Sequence, residues 1–201
     1  MSINEQKTLI LASSSPRRQE LIGSLQLPFE IRVSDVNEDT EPGLKPHEIV
    51  EQLSSRKAAA VCEMYKREHR TEGIVIGSDT IVVLDDEVLG KPKDEQDAFR
   101  MLNMLQGRKH EVYSGVACMD LNTGEHLVSH HVTSVYMKPL TKTQIERYIG
   151  TGEPMDKAGS YAIQGLGATI IERIEGDYFN VVGLPVSLLS DLLGRLGIAV
   201  I

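Results

Sequence analysis

The segment His110–Lys138, HEVYSGVACMDLNTGEHLVSHHVTSVYMK, reads as two long strands folded back on each other at Asn122–Gly124. Such partners need only a tight turn, whereas parallel partners need a long crossover, so a hairpin here points to a mixed sheet. On either side of it the chain alternates strand with helix. Thr8–Ala12 is a strand, followed by a helix that Ser15 and Pro16 open; Phe29–Val33 is a second strand; a long helix runs from about Pro46 to Arg67. IVIGSDTIVVL supplies two apolar strand pieces, and DEQDAFRMLNMLQ is a helix with an acidic first turn. After the hairpin come a helix near Thr141–Tyr148, a glycine-rich stretch, a hairpin around IEGDYFNVV and a final helix, PVSLLSDLLGRL. The expectation is an α/β fold, a mixed sheet with helices on its faces.

At 201 residues, 41% of them hydrophobic, the chain is long enough to bury one sizeable core, so a single domain over residues 1–201, with two lobes at most, is expected. No stretch approaches the roughly eighteen consecutive apolar residues of a membrane span, and Met1–Lys7 lacks the apolar core of a signal peptide. A cytoplasmic protein is expected. The net charge of -8 argues against broad binding to nucleic acid or membranes, which needs a basic face. Any anionic ligand is therefore caught by a local cluster. Cys62 and Cys118 have no metal or redox spacing and read as buried thiols.

One such cluster stands in LASSSPRRQELIGSL. Ser15 suits the N-cap and Pro16 the first helical position, where its missing N–H costs nothing. Arg17 and Arg18 do not suit the positive end of a helix dipole unless an anion sits among them.

Four further places break local rules. Ile49, Leu53 and Val61 repeat along one helical stripe, with Lys57 in its gap. That lysine either snorkels to solvent or delivers an ammonium into a cleft between helix and sheet. GSDT interrupts two apolar runs, which puts Asp79 at a strand end between hydrophobic walls, either as a turn aspartate bonding its own backbone or as a metal ligand or base. Lys91, between Gly90 and Pro92, is a loop lysine, solvated or ligand-bound. GEPMDKAGSYAIQGLG carries Asp156, Lys157 and Gln164 among four glycines. It is either a plain connection or a place where a ligand approaches the backbone and Gln164, with donor and acceptor, reads a base.

Several signatures are missing. There is no GxxxxGK[ST], and Gly165 and Gly167 lack the third glycine of a dinucleotide fingerprint. His130 and His131 are adjacent in a strand and point to opposite faces, so they read as structural or surface residues.

Taken in order, ASSSPRR, GSDTIVV, LGKP, GRKHEVYSG and DKAGSYAIQGLG resemble the Maf family of nucleoside triphosphate pyrophosphatases over nearly the whole chain. The resemblance implies a Maf/ITPase-like α/β fold, with a mixed, elongated sheet flanked by helices and two lobes with a cleft between them, as a homodimer. It implies cleavage of a nucleoside triphosphate to monophosphate and pyrophosphate with a divalent metal cation, Mg²⁺ or Mn²⁺. DKAG and IQG are similar to the dTTP/UTP pyrophosphatase subgroup; a sibling subgroup that acts on 7-methyl-GTP differs at those positions.

By the same resemblance Asp79 is the catalytic base, and Arg17, Thr80 and Gln164 set substrate choice. Ser13, Arg18, Lys57 and Lys91 are candidates for phosphate contacts, and Glu38, in the acidic loop, is a candidate to join Asp79 as a metal ligand. A triphosphate would answer the two arginines, because helix N-termini bind anions. Two rival readings use the same residues: a nucleotide-sensing regulator of cell division that binds without turnover, and a nucleotidyltransferase. A carboxylate beside the anion would repel a ligand that is merely bound, unless a metal intervenes.

Overall fold

The computed structural model describes residues 7–201. The expectation drawn from Met1–Lys7 therefore falls, apart from Lys7, outside the described residues. In chain order the elements are β1 (Leu9–Leu11), α1 (Pro16–Gly23), β2 (Phe29–Ile31), α2 (Pro46–Arg67), β3 (Ile74–Leu84), β4 (Glu87–Leu89), α3 (Glu95–Leu105), β5 (Lys109–Asp120), β6 (His126–Met137), α4 (Lys142–Ile149), β7 (Ile171–Glu175), α5 (Tyr178–Val182) and α6 (Val186–Arg195). The strands form one mixed sheet in the order β2-β1-β3-β5-β6-β7, with β4 paired to β3. β1 is parallel to β2 and β3, whereas β4 and β7 run antiparallel to their partners. No helix among the described residues is long and apolar enough to cross a membrane.

Local chemistry explains most boundaries. Pro46 opens α2, the Glu48 carboxylate accepts from the Lys45 amide at 2.7 Å, and Lys66 and Arg67 sit in its last turn, where cations suit the dipole. Asp94 caps α3 by accepting from Asp97 N at 2.8 Å. Thr141 and Gln144 cap α4 reciprocally. Two expectations are corrected. IVIGSDTIVVL is the single strand β3, not two pieces. IEGDYFNVV is not a hairpin: β7 pairs with β6, Gly176 turns the chain with φ +130°, and α5 follows.

The chain divides into two compact units. The first comprises the chain up to Asp79, Ser114–His131 and Gly183–Ile201. Its core joins α2 to the sheet through Ile10, Ala58, Val61, Tyr65, Val75 and Ala117. Two glycines set that packing. A Cβ on Gly77 would overlap the Ser54 carbonyl and lie 2.9 Å from Ala58 N; one on Gly115 would overlap the Val50 carbonyl and lie 3.0 Å from Glu51 N. Strands β3 and β5 thus meet the backbone of α2 directly. Cys62 is buried here, and burial pushes its thiol up to about 11; Cys118, buried in β5, is pushed up to about 12.

The second unit comprises Thr80–Tyr113 and Val132–Val182. Helix α3 buries Ala98, Met101, Leu102 and Leu105, a spacing that makes one continuous stripe, and packs them with Val112, Val135, Ile145 and Tyr148. Asp85 and Asp86, both at positive φ, make the tight turn from β3 into β4. His110 is buried, its Nε2 2.7 Å from the Tyr161 hydroxyl, and its Nδ1 has no hydrogen-bond partner among the described residues. Burial pushes the imidazole down to about 4 and the Tyr161 phenol up.

Two measurements check this packing. Gly77→Ala should destabilise the protein by about 2 kcal/mol or more, because the new methyl meets backbone that cannot step aside; an unchanged urea midpoint would show that α2 does not rest on Gly77. The second concerns acid. Below pH 6.5 the unfolded imidazole of His110 takes a proton that the folded one refuses until about pH 4, so the unfolded state binds more protons and stability falls as pH falls through that window. Urea midpoints should show about 2 kcal/mol of this loss between roughly pH 7 and 5, and His110→Asn should lack it.

Candidate active site

Strand alternation places Gly77 and Asp79 on one face of β3. Because α2 lies on Gly77 through Ser54 and Ala58, the residue between them, Lys57, reaches Asp79. Its ammonium donates to Asp79 Oδ1 at 2.6 Å and pairs with Glu38 Oε1 at 2.7 Å. The Lys57 and Asp79 side chains are only 14% and 11% exposed, so the snorkelling reading of Lys57 falls away. The predicted stripe is corrected too. Ile49 is half-buried, the buried face runs through Val50, Leu53, Ser54, Ala58, Val61, Cys62 and Tyr65, and Lys57 flanks it. Asp79 lies within β3 rather than at a strand end, and it is not a turn residue bonding its own backbone. Its Oδ2 accepts no hydrogen bond from the described residues.

Glu38 is held by its neighbours. Arg56 of α2 donates to the carbonyls of Asn37 at 3.3 Å and Asp39 at 2.5 Å, which bracket Glu38. Sequence reasoning missed Arg56, which looks like any exposed helix arginine until the acidic loop folds over it.

At α1, Ser15 occupies the N-cap position in extended backbone, but no side chain caps the helix. Ser13 is buried instead, and its Oγ accepts from Ser15 N at 3.2 Å and from the Arg18 guanidinium at 3.4 Å. Arg18 Nε donates to the Gly183 carbonyl at 2.7 Å, and Ser78 Oγ donates to the same oxygen at 3.0 Å. Desolvation holds the Arg18 guanidinium below its ordinary value; the charges of Asp79 and Glu38 oppose that shift and Arg17 adds to it. Arg17 is half-buried and has no hydrogen bond or ion pair among the described residues. An uncapped N-terminus with two crowded arginines is a site that an anion would relieve.

Ser13, Arg17, Arg18, Glu38, Lys57 and Asp79 all belong to the first unit; Thr80, Lys91 and Gln164 belong to the second. Thr80 follows Asp79 along β3 and is half-buried. Lys91 is exposed and makes no hydrogen bond or ion pair among the described residues. Gln164 is half-buried just before a 3₁₀ turn, Gly165–Thr169, and its carboxamide does not cap that turn.

No group of three or more His, Cys, Asp or Glu side chains among the described residues is arranged to hold a metal. The carboxylates of Glu38 and Asp79 nevertheless share one cation, Lys57 Nζ. Two carboxylates are the donor chemistry that suits a hard dication, whose remaining sites water and phosphate oxygens fill. His130 and His47 are engaged with each other, and His130 with Glu51: His130 Nδ1 lies 2.7 Å from Glu51 Oε1, and its ring stacks on His47 at 5.1 Å.

Relatives share this sequence closely. A dTTP/UTP pyrophosphatase of Desulforamulus reducens is 53% identical over 97% of this chain and 100% of its own. A dTTP/UTP pyrophosphatase of Pelotomaculum thermopropionicum is 49% identical over 95% and 97%. Among solved structures, the Staphylococcus aureus Ham1 protein superposes with a TM-score of 0.49 at 16% identity, covering 82% of this chain and 80% of that one, too distant a likeness to carry an argument. The family model described as Maf-like protein matches residues 8–196. With that match and those relatives, the chain belongs to the Maf-like protein family.

Proposed function

We propose that the protein hydrolyses dTTP and UTP to the nucleoside monophosphate and pyrophosphate. The observation that carries this reading is the carboxylate of Asp79, set on Lys57 at 2.6 Å in the same compact unit as the uncapped, two-arginine start of α1. Without a metal between them, two carboxylates beside an anion only repel it, so a unit that merely bound the anion would gain nothing from them. Relatives named dTTP/UTP pyrophosphatases, 53% and 49% identical over nearly the whole chain, support the substrate.

In the mechanism, a water attacks the α-phosphorus in line with the bridging oxygen of the leaving pyrophosphate. The new P–O bond forms as the bond to that oxygen breaks, and the water's proton passes to Asp79 Oδ2. Lys57, through Oδ1, orients the carboxylate. The N–H groups of α1, with Ser13, Arg17 and Arg18, receive the phosphates, and Lys91 adds a further cation. These positive groups stabilise the charge that grows on the leaving group. Glu38 and Asp79 would hold a divalent cation, Mg²⁺ or Mn²⁺, which when bound supplies further neutralisation of the triphosphate.

Substrate choice falls to Arg17, Thr80 and Gln164. A uracil or thymine edge offers acceptor, donor, acceptor, and a carboxamide can meet the N3 donor and one carbonyl together. Cytosine changes that pattern, and a purine needs more room. The same reading makes the whole chain one catalytic domain, working as a cytoplasmic homodimer on free nucleotides, without nucleic acid or membrane.

The decisive assay is pyrophosphate release across dTTP, UTP, CTP, ATP, GTP and 7-methyl-GTP, with and without Mg²⁺. dTTP and UTP should be cleaved well and the others poorly, with chelation abolishing release. Binding without release would favour the regulator, and 7-methyl-GTP as best substrate would move the enzyme to the sibling subgroup. Asp79→Asn should lower turnover by roughly 10²-fold or more. It should still fold, because Glu38 remains to pair Lys57. Near-normal turnover in that variant would remove Asp79 from its role as base.

A further inference from the structure

A carboxamide can exchange its donor and acceptor ends by rotating one torsion, so a glutamine discriminates between bases only if something else fixes where it stands. Around Gln164 the backbone is fixed on both sides by one pair of side chains. Before it, Ala162 N donates to the Tyr148 hydroxyl at 3.1 Å. After it, Leu166 N donates to Glu153 Oε2 at 3.0 Å and Gly167 N to Glu153 Oε1 at 2.8 Å. Tyr148 closes the pair by donating to Glu153 Oε1 at 2.8 Å.

The glycines of this segment fit the same device. Gly165 adopts φ +62°, and a Cβ there would lie 2.5 Å from Glu153 Oε2. A Cβ on Gly167 would lie 2.5 Å from the Tyr148 hydroxyl. The two residues that fall short of a dinucleotide fingerprint thus have another use: they let the backbone close on Tyr148 and Glu153. Partial desolvation pushes the Glu153 carboxyl up, but the bonds from Tyr148, Gly167 and Leu166 outweigh it and hold the group below its ordinary value. It is therefore an acceptor at both oxygens, as the geometry requires.

We infer that Tyr148 and Glu153 form a clamp that positions Gln164 and so determines which base the enzyme accepts, an inference that rests on Gln164 being the base-reading side chain. Neither residue touches the base; both act through the backbone on either side of Gln164. Glu153→Gln keeps the shape but turns an N–H donor toward a backbone N–H. Tyr148→Phe removes the acceptor for Ala162 N and the donor to Glu153 without changing any charge.

The test is the ratio of kcat/KM for UTP to that for CTP, measured with melting temperature. Glu153→Gln and Tyr148→Phe should each lower the ratio about tenfold, the scale of one lost hydrogen bond to a charged group, and by more than they lower kcat on UTP. Gln164→Ala should lower it as well. In the double variant Glu153→Gln/Gln164→Ala the ratio should match Gln164→Ala alone, because the clamp acts through that side chain. A purely structural role would slow both nucleotides alike and leave the ratio intact. If both clamp variants keep the ratio while Gln164→Ala collapses it, the clamp is overturned and the base reading stands. An unchanged ratio in Gln164→Ala overturns the base reading itself, and the clamp with it.

Discussion

Two hydrogen atoms decide where this protein's carboxylate stands. At Gly77 and Gly115 the backbone of α2 comes so close to β3 and β5 that any side chain would collide with its carbonyls. The helix cannot ride higher without exposing Val50, Ala58 and Val61, which it buries completely. Once its height and rotation are set, Lys57 has one place to go. The sheet's two-residue repeat then puts Asp79, next on the face that Gly77 opens, under that ammonium. The ion pair is a result of steric fit as much as of attraction, because two charges so shielded from water gain little net energy from each other unless geometry has already brought them together.

The same economy of space governs the start of α1. A chain with a net charge of -8 has no general attraction for polyanions, so it concentrates positive potential where the helix backbone already supplies it. The cost falls on Arg18, whose desolvation is only partly offset by Asp79 and Glu38. Gly183 eases that cost by accepting from Arg18 and Ser78 on one carbonyl, tying the residue before Leu184 and α6 to both α1 and β3.

Much of this was legible in the sequence. The ends of α2 follow from Pro46 and from Lys66 and Arg67, and the β5–β6 hairpin follows from its Asn122–Gly124 turn. What misled was local chemistry that tertiary partners override. Gly77, Ser78 and Asp79 look like a turn because each is a poor strand former, yet each has a partner outside the strand: the backbone of α2, the Gly183 carbonyl and Lys57. Residues 175–177, Glu-Gly-Asp, look like a hairpin turn, but Thr133 accepts from Asp177 N and leads the chain into α5 instead. Strand β4 is three residues long and carries no periodicity to read. In the candidate site the charged residues were visible because they violate helix and strand rules. Arg56, Tyr148 and Glu153 violate none; they act on backbone amides and carbonyls, which a sequence does not display.

The two thiols have a consequence for chemical durability. With Cys62 pushed up to about 11 and Cys118 to about 12, the reactive anion makes up roughly one part in ten thousand or less of either at neutral pH. Both sulfurs are also buried, so peroxides and alkylating agents meet neither an accessible nor an ionised target. The sequence holds no other cysteine. Neither thiol therefore offers an oxidant or alkylating agent a ready point of attack in the folded protein.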